Sequence, residues 1–309
     1  MFDSTRPPDL WAPPRHPYYV YAPDYLETSS GVFVLHQLCH ALNLAGMEAY
    51  VTAAGRNPRL RTPRMTSEVA SAHLAAGQTP IVVYPEVVTG NPMGAPVVAR
   101  FILNRPGLLG GEARYAPEEL LFTHSQEFLP EGMRAESLLV PAFDLELFRP
   151  DGRPDAERRG RYVYASRYLA RGGVLDEETR GLLQLSYRAP LPLNQLAGIF
   201  RSAERLYAYE RSAICTEAML CGCPVIYVPN EHLRERPTAE FFGDAGAAWG
   251  SEPAEVARAV ASLPRVRERL LELERDFWRQ LRHFVEVTQR AADERGGVPP
   301  GATRSPDGP

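Results

Sequence analysis

Residues 205–229 constrain the fold of this chain most, because their pattern changes from strand to helix and back to strand. The apolar run at 205–209 predicts a strand, and Ser212 is a favourable N-cap for a helix that follows it. Gly222 is a helix stop directly before a second apolar run at 224–229. A strand, a crossover helix and another strand form a unit typical of parallel sheets, so the segment predicts an α/β protein.

The same alternation runs along most of the chain. It predicts strands at 18–22, 48–54, 80–85, 97–104, 119–125, 137–142, 162–167, 182–187, 205–209 and 224–229. It predicts helices at 29–45, 65–76, 193–202, 213–220 and 253–292, the last of them broken near Pro264. Short buried strands that alternate with helices indicate doubly wound parallel sheets, which bind ligands beyond the carboxyl ends of their strands.

The predicted domains follow from a change in composition after residue 148. The segment 149–160 is polar, charged and punctuated by proline, as linkers are. We expect one Rossmann-like domain at 1–148 and a second at 161–267, facing each other across a cleft. A helix at 268–290 can cross back to the first domain, and the Gly- and Pro-rich tail at 294–309 is predicted to be disordered.

Length and composition limit the classes of partner. A chain of 309 residues with 44% apolar residues is long enough for two domains with their own cores. The net charge is -4 and no long basic run is present, so we expect no nucleic-acid partner. No apolar stretch is long enough to span a membrane, residues 1–17 do not look like a signal peptide, and four cysteines fit a reducing compartment. These features predict a cytoplasmic protein without stable membrane insertion; peripheral lipid contact and the oligomeric state stay open.

The absence of lysine excludes two kinds of chemistry. All 34 basic residues are arginine, a bias that codon usage can explain. A P-loop and a Schiff-base enzyme each need a lysine, so neither is expected. The dinucleotide fingerprint GxGxxG is also absent, which disfavours a nicotinamide dehydrogenase. A phosphate-binding site in this chain must therefore use arginine side chains or backbone amides.

The turn between the predicted strand 205–209 and its helix combines amides with carboxylates. Unpaired N–H groups at the helix start favour an anion such as a diphosphate. Glu210 lies at the strand end and Glu217 one turn into the helix, where carboxylates can accept hydrogen bonds from sugar hydroxyls. A packed turn with two surface charges is the alternative interpretation. The candidate amides belong to Ser212, Ala213 and Ile214.

The end of this segment resembles a known signature. Glu217-Ala218 and the run Cys221-Gly222-Cys223-Pro224-Val225 are similar to the donor site of retaining GT-B glycosyltransferases of family 4 (glycosyl transferases group 1), of the bacterial surface-polysaccharide type. The resemblance implies a GT-B fold in which Glu217 binds the nucleotide ribose and Glu210 approaches the transferred sugar. Six residues separate the two glutamates here, whereas the family usually has seven.

Four further donor-side residues are assigned through this resemblance. Arg167 and Arg171 stand where the family carries an arginine and a lysine that hold the donor diphosphate. Arg188 lies in the loop 186–191, which the resemblance places at the base pocket. Gly31, at the first helix of the chain, would let a donor phosphate or acceptor approach the backbone. The first domain is then the acceptor side and the second the nucleotide-sugar side.

The acceptor side is predicted from polar residues that follow apolar strands. Glu86 and Asn91 follow the strand at 80–85, and Asn104 follows the next one. The family has a histidine near the position of Asn104, and His124 is the nearest alternative histidine in this chain. We therefore expect Glu86, Asn91 and Asn104 to lie at the cleft edge.

The sequence thus predicts a retaining, metal-independent glycosyltransferase that moves a hexosyl or deoxyhexosyl group. Its substrate would be a nucleotide-diphosphate sugar, its acceptor a glycan or other hydroxyl compound, and its pathway polysaccharide or glycan biosynthesis. No cofactor and no metal are expected. Two alternatives remain, namely a non-catalytic sugar-nucleotide or glycan-binding protein and a sugar-nucleotide epimerase or hydrolase. The donor sugar, the base and the linkage are not encoded in any recognisable motif.

Overall fold

The structure is a computed structural model that describes residues 16–26, 29–141, 143–186, 188–234 and 243–296. The chain divides into two compact units. The terminal unit is drawn from Phe2–Ala142 and Glu274–Pro309, and the middle unit from Phe143–Leu273. Each unit contains one parallel sheet with helices, so the predicted α/β class with two Rossmann-like units is confirmed.

The terminal unit contains a six-stranded sheet in the order β2-β1-β3-β4-β5-β6, with every pair of neighbours parallel. Its strands and helices, in chain order, are β1 (Tyr18–Val20), α1 (Ser30–Leu44), β2 (Ala49–Val51), α2 (Ser67–Ala75), β3 (Ile81–Pro85), β4 (Val97–Ile102), β5 (Leu120–Thr123) and β6 (Glu136–Ser137). The central strands β3 and β4 are buried along their whole length, as expected of a sheet covered on both faces.

The main core of the terminal unit lies between α1 and the sheet. Leu38 and Leu42 of α1 are fully buried at helical spacing, and each such leucine stabilises the fold by roughly 1.5–3 kcal/mol. Phe122 of β5 packs edge-on against Phe284, with the ring centroids 4.7 Å apart. Residues after Leu273 therefore complete this core, together with Phe277.

The middle unit contains a five-stranded parallel sheet in the order β11-β10-β9-β7-β8. Its elements, in chain order, are β7 (Arg161–Tyr164), α3 (Ser166–Ala170), β8 (Leu183–Leu185), α4 (Leu193–Ser202), β9 (Arg205–Ala208), α5 (Ala213–Leu220), β10 (Val225–Tyr227), β11 (Ala247–Trp249), α6 (Pro253–Ser262) and the start of α7 (Pro264–Arg295). Tyr207 and Ile226 form the core of this sheet with Val163.

Several sequence-based boundaries need correction. The strand predicted at 162–167 ends at Tyr164, because Ala165 leaves the extended conformation and α3 begins at Ser166. Only Glu136–Ser137 pairs as a strand in the region predicted at 137–142, of which residue 142 is outside the described part. The strand β11 was not predicted, since three residues at a sheet edge carry too little pattern.

The helical C-terminal region agrees with the prediction of a break near Pro264, where α6 ends and α7 begins. The helix α7 continues to Arg295, so the first two residues of the tail predicted at 294–309 are helical. Residues 297–309 lie outside the described part of the chain. Among the described helices, none has the length and apolar character needed to cross a membrane.

Candidate functional site

The predicted strand, turn, helix and strand around Glu210 are confirmed in the middle unit. The strand β9 lies between β10 and β7, and its carboxyl end leads through Glu210 to α5. Ser212 is the extended N-cap residue of α5, and Gly222 ends the helix with a positive φ of 82°. Glycine adopts this conformation without steric cost, so the chain can turn sharply into β10.

The carboxylate of Glu210 connects β9 to the neighbouring segment of the sheet. It accepts hydrogen bonds from the backbone amides of Arg167 at 2.7 Å and Tyr168 at 2.9 Å. The Arg167 Nε also donates to Glu210 Oε1 at 3.0 Å. The carboxylate therefore caps the first turn of α3 and holds a guanidinium at the carboxyl edge of the sheet.

The structure brings Arg167 to Glu210 but places Arg171 at the other end of α3. Arg167 also donates to the carbonyl of Arg211, so its side chain spans the turn before α5 while remaining 45% exposed. Arg171 is the C-cap residue of α3 and is exposed. Neither arginine lies on the strand where the sequence placed it, because that strand ends before both.

The start of α5 offers backbone donors. The Ser212 hydroxyl does not cap the helix and instead donates to the Tyr164 hydroxyl at 3.3 Å. Within the described part of the chain, no acceptor lies within hydrogen-bonding distance of the amides of Ser212, Ala213 and Ile214. Such amides at a helix start favour a negative charge, so this end of α5 is suited to an anion.

Glu217 lies in the second turn of α5 and is half-buried. Burial raises the pKa of its carboxyl group to about 7, because a charge there loses hydration. No donor among the described residues lies within hydrogen-bonding distance of this carboxylate. A hydroxyl donor from a ligand would satisfy it and favour its ionised form.

Arg188 follows the edge strand β8, which pairs with β7. Its amide donates to Ser186 Oγ at 3.2 Å, and Ser186 Oγ accepts a bond from Ser166 of α3 at 3.2 Å. Arg188 and Arg167 therefore follow neighbouring strands at the same sheet edge. Residue 187, part of the predicted base-pocket loop, lies outside the described residues.

The residues predicted for the acceptor side lie at the carboxyl edge of the terminal unit's sheet. Glu86 is buried and accepts a bond from the Leu103 amide at 3.0 Å, which joins the loops after β3 and β4; burial raises the pKa of its carboxyl group. Asn91 accepts bonds from the Tyr84 hydroxyl and the Ala95 amide and so closes its own loop. Asn104 accepts a bond from the amide of Arg105 at 2.8 Å.

Gly31 has open space beside it, whereas the imidazole of His124 is desolvated. Gly31 is the second residue of α1, and a methyl group there would meet only Leu103 Cδ1 at 4.0 Å, so internal packing does not require glycine. His124 follows β5, where burial lowers its pKa to about 4. A neutral imidazole at this position is a poor proton donor at neutral pH.

Sequence analysis missed Arg100, which organises the loop after β3. Its guanidinium is fully buried, bonds both carboxylate oxygens of Glu119, and donates to the carbonyls of Val88 and Gly90 at 2.7 and 2.9 Å. It also lies over the rings of Tyr84 and Tyr115. An arginine inside an otherwise apolar strand was the available signal, since a buried charge needs a partner.

Asn230, after β10, was also missed. Its side-chain amide donates to the carbonyls of Tyr209 and Val228 at 2.9 Å, and its oxygen accepts the His232 amide. It thereby fixes the loop beside the Glu210 turn. The Asn that follows Pro229 was a turn signal, but its partner on β9 is not visible from the local sequence.

Cysteines and acidic groups form no recognisable metal centre in the described part of the chain. The four cysteines are buried free thiols. No group of three or more His, Cys, Asp or Glu side chains is arranged to hold a metal ion among the described residues. Cys221 and Cys223 instead line the tight corner after α5, where the carbonyl of Cys221 accepts a bond from Arg158 at 3.2 Å.

Comparison with known proteins identifies the fold. AviGT4, a glycosyltransferase involved in avilamycin A biosynthesis, superposes with a TM-score of 0.53 at 15% identity, over 91% of this chain and 99% of that one. VinC, a glycosyltransferase solved with dTDP, superposes with a TM-score of 0.43 at 14% identity, over 90% of this chain and 100% of that one. The glycosyltransferase SnogD from Streptomyces nogalater superposes with a TM-score of 0.42 at 12% identity, over 89% of this chain and 99% of that one. The superposition with AviGT4, together with the two parallel sheets, shows that the chain has the GT-B type of fold.

No family model matches the sequence, and no curated protein matches it. At these identities, the structural likeness concerns the fold alone. The function must therefore be argued from the site.

Proposed function

We propose that this protein is a glycosyltransferase that moves a sugar from a nucleotide-diphosphate sugar to a hydroxyl acceptor, with retention of configuration and without a metal. The observation that carries the proposal is Glu217, a half-buried carboxylate with no donor among the described residues, on the helix whose first amides lack acceptors. This combination in a GT-B fold suits a ribose joined to a diphosphate.

In the proposed complex, Glu217 accepts hydrogen bonds from the ribose hydroxyls. The amides of Ala213 and Ile214 bind the diphosphate, and Arg167 with Arg171 provides positive charge. Positive groups that are fixed before the reaction stabilise the charge that grows on a departing diphosphate. Arg167 is held in place by Glu210, so Glu210 acts on the donor through that arginine as well as through any contact with the sugar.

The proposed reaction breaks the bond between the sugar C1 and the diphosphate oxygen and forms a bond from C1 to the acceptor oxygen on the same face. The proton of the acceptor hydroxyl passes to an oxygen of the departing diphosphate. Arg188 and Gly31 are proposed donor contacts, while Glu86, Asn91 and Asn104 are proposed acceptor-side groups. A cytoplasmic role in polysaccharide or glycan biosynthesis belongs to the same proposal.

A nucleotide-release assay over a panel of sugar nucleotides tests this function, together with thermal shifts by UDP, GDP and dTDP. Glu217→Gln should weaken nucleotide binding about tenfold or more, because hydrogen bonds to a charged group contribute about 1.5–3 kcal/mol each. Glu272→Gln, on an exposed carboxylate of α7, is the control and should leave binding unchanged. No shift with any nucleotide and no release from any donor would contradict the proposal.

The hydrogen bonds of Glu210 favour a second candidate function, that of a sugar-nucleotide or glycan-binding protein without transfer activity. All contacts of its carboxylate in the described residues serve α3 and Arg167. Nucleotide binding that leaves the donor intact after long incubation with acceptors would support this candidate. Conversion of the donor without an acceptor would instead indicate an epimerase or hydrolase.

A further inference from the structure

The loop that follows β2 carries an unusual concentration of positive charge. Residues 54–64, named here the arginine loop, contain four arginines and no acidic residue, although the chain as a whole has a net charge of -4. All four side chains are exposed. They are Arg56, Arg59, Arg61 and Arg64.

The backbone of the arginine loop is held firmly against α1. His40 Nδ1 accepts the amide of Arg61 at 2.8 Å, and Asn43 Nδ2 donates to the carbonyl of Arg61 at 3.0 Å. Leu60 and Thr62, which belong to the loop, are buried. A loop fixed in this way presents its side chains without the entropic cost of ordering a flexible segment.

The arginines of this loop lack the carboxylate partners that other arginines of the chain have. Within the described residues, none of the four forms an ion pair, whereas Arg100 bonds Glu119 and Arg258 bonds Glu255. The carboxylate of Asp24 lies beside the loop, where it accepts hydrogen bonds from the amides of Ala54 and Gly55. Among the described residues, no carboxylate therefore neutralises this positive charge.

Two of these arginines surround one pocket. A cavity of about 450 Å³ lies within the loop, lined by Arg56, Arg61, Asn57 and Thr62 among others. The loop also begins at the carboxyl end of β2, the edge of a parallel sheet where ligands bind. A guanidinium donates two parallel hydrogen bonds to a phosphate or carboxylate, so the lining chemistry suits a small anion.

We propose that the arginine loop binds a phosphate or carboxylate group carried by the acceptor, an inference that rests on the proposed transfer function. The acceptor would then be an anionic hydroxyl compound rather than a neutral one. Arg56 and Arg61 bind the anion directly, and His40 and Asn43 position Arg61.

Equilibrium dialysis of the full chain with radiolabelled inorganic phosphate tests the site. The double variant Arg56→Gln/Arg61→Gln should weaken phosphate binding about tenfold or more, since each charge-assisted hydrogen bond contributes about 1.5–3 kcal/mol. The control Arg279→Gln/Arg282→Gln removes the same charge from exposed positions of α7 and should change nothing. Equal binding by the wild type and the loop variant would overturn the proposal.

A second arm distinguishes the loop from the donor site and identifies the source of the anion. Phosphate binding that survives Arg167→Gln but not the loop variant assigns the anion to the loop. Citrate should compete with phosphate. If vesicles of phosphatidylglycerol or a DNA duplex bind to the loop while neither small anion does, the proposal is wrong and the loop is a macromolecular contact.

Transfer kinetics separate this proposal from the proposed function. With an anionic acceptor, the loop variant should raise the acceptor KM about tenfold and leave the donor KM unchanged, whereas a neutral acceptor should respond equally in both proteins. If Glu217→Gln loses nucleotide binding while the loop variant has an unchanged acceptor KM, the proposed transfer function stands. The proposal of an anionic acceptor is then wrong. Phosphate bound at the loop of a protein that binds no nucleotide would reject the acceptor role.

Discussion

The two sheets use a glutamate at the same topological position in different ways. Glu210 follows the central strand β9 of the middle unit, and Glu86 follows the central strand β3 of the terminal unit. Each accepts backbone amides from the segment after the neighbouring strand. Glu210 also holds the guanidinium of Arg167, whereas burial alone raises the pKa of the Glu86 carboxyl group.

This difference shows how one topology can serve two purposes. In the middle unit, the strand-end carboxylate keeps an exposed arginine at the sheet edge, where it is available to an anion. In the terminal unit, the carboxylate connects two loops, and the buried cation Arg100 fixes the first of these loops by donating to the carbonyls of Val88 and Gly90. The middle unit therefore exposes its charge, and the terminal unit uses its charge internally.

The largest expected effect concerns Arg100. Replacing it by leucine leaves the Glu119 carboxylate buried and unpaired, so Arg100→Leu should lower the free energy of unfolding by about 3–5 kcal/mol. Arg161→Leu, which breaks the exposed pair with Glu204, should cost less than about 1 kcal/mol. Urea unfolding of both variants gives the two values. Equal losses would mean that the terminal unit does not depend on its internal charge.

The pH dependence of stability tests the half-buried carboxylate of Glu217 in the middle unit. The pKa of Glu217 is about 7 in the folded protein and 4.5 in the unfolded chain, where the carboxylate is hydrated. The folded state therefore binds the proton more tightly. Stability from this group is present below pH 4.5 and is lost as the pH rises to about 7, by about 3 kcal/mol in total. Glu217→Gln should remove that slope between pH 4.5 and 7 in urea unfolding.

A nucleotide should oppose this loss of stability, because a ribose that donates to Glu217 favours the ionised form. Binding should then release a proton near pH 6, measurable as a buffer-dependent heat in calorimetry. The same heat in Glu217→Gln would exclude this carboxylate as the source.

The close approach of two loops in the terminal unit gives the next test. Gly111 has a φ of 72°, and a methyl group there would lie 2.0 Å from the carbonyl oxygen of Glu86. Gly111→Ala should therefore cost about 2–3 kcal/mol from backbone strain and displacement of the Glu86 loop. Gly132→Ala has a similar φ of 81° with open space around it and should cost only about 1 kcal/mol. Thermal unfolding that ranks them equally would show that contact with Glu86 is unimportant.

The smallest effect compares the two strand-end glutamates directly. Glu210→Gln should lower stability by about 1–2 kcal/mol at pH 7, because it weakens three hydrogen bonds to a charged acceptor, one of them from the half-exposed guanidinium of Arg167. Glu86→Gln should be neutral or stabilising at the same pH, since burial disfavours the Glu86 charge. Chemical unfolding at pH 7 measures both. A larger loss for Glu86→Gln would reverse the comparison.

Much of the fold follows from local sequence. The apolar strand β9, the N-cap position Ser212 and the glycine at 222 define a strand, a helix and its end through short-range preferences, and the structure agrees with each. The strand predicted at 162–167 includes the first two residues of α3, because the first turn of α3 is stabilised by Glu210, which lies 43 residues away along the chain. No local pattern contains that partner.

The sequence by itself determined the alternation of elements, the α/β class and the absence of lysine chemistry. Only the tertiary structure decided which side chains meet: that Glu210 holds Arg167, that Arg100 lies between two tyrosines, and that the arginine loop finds no carboxylate among the described residues. The physical reason is that hydrophobic periodicity and capping act over a few residues. Charge pairing depends on distances in space that the chain sets only when it folds.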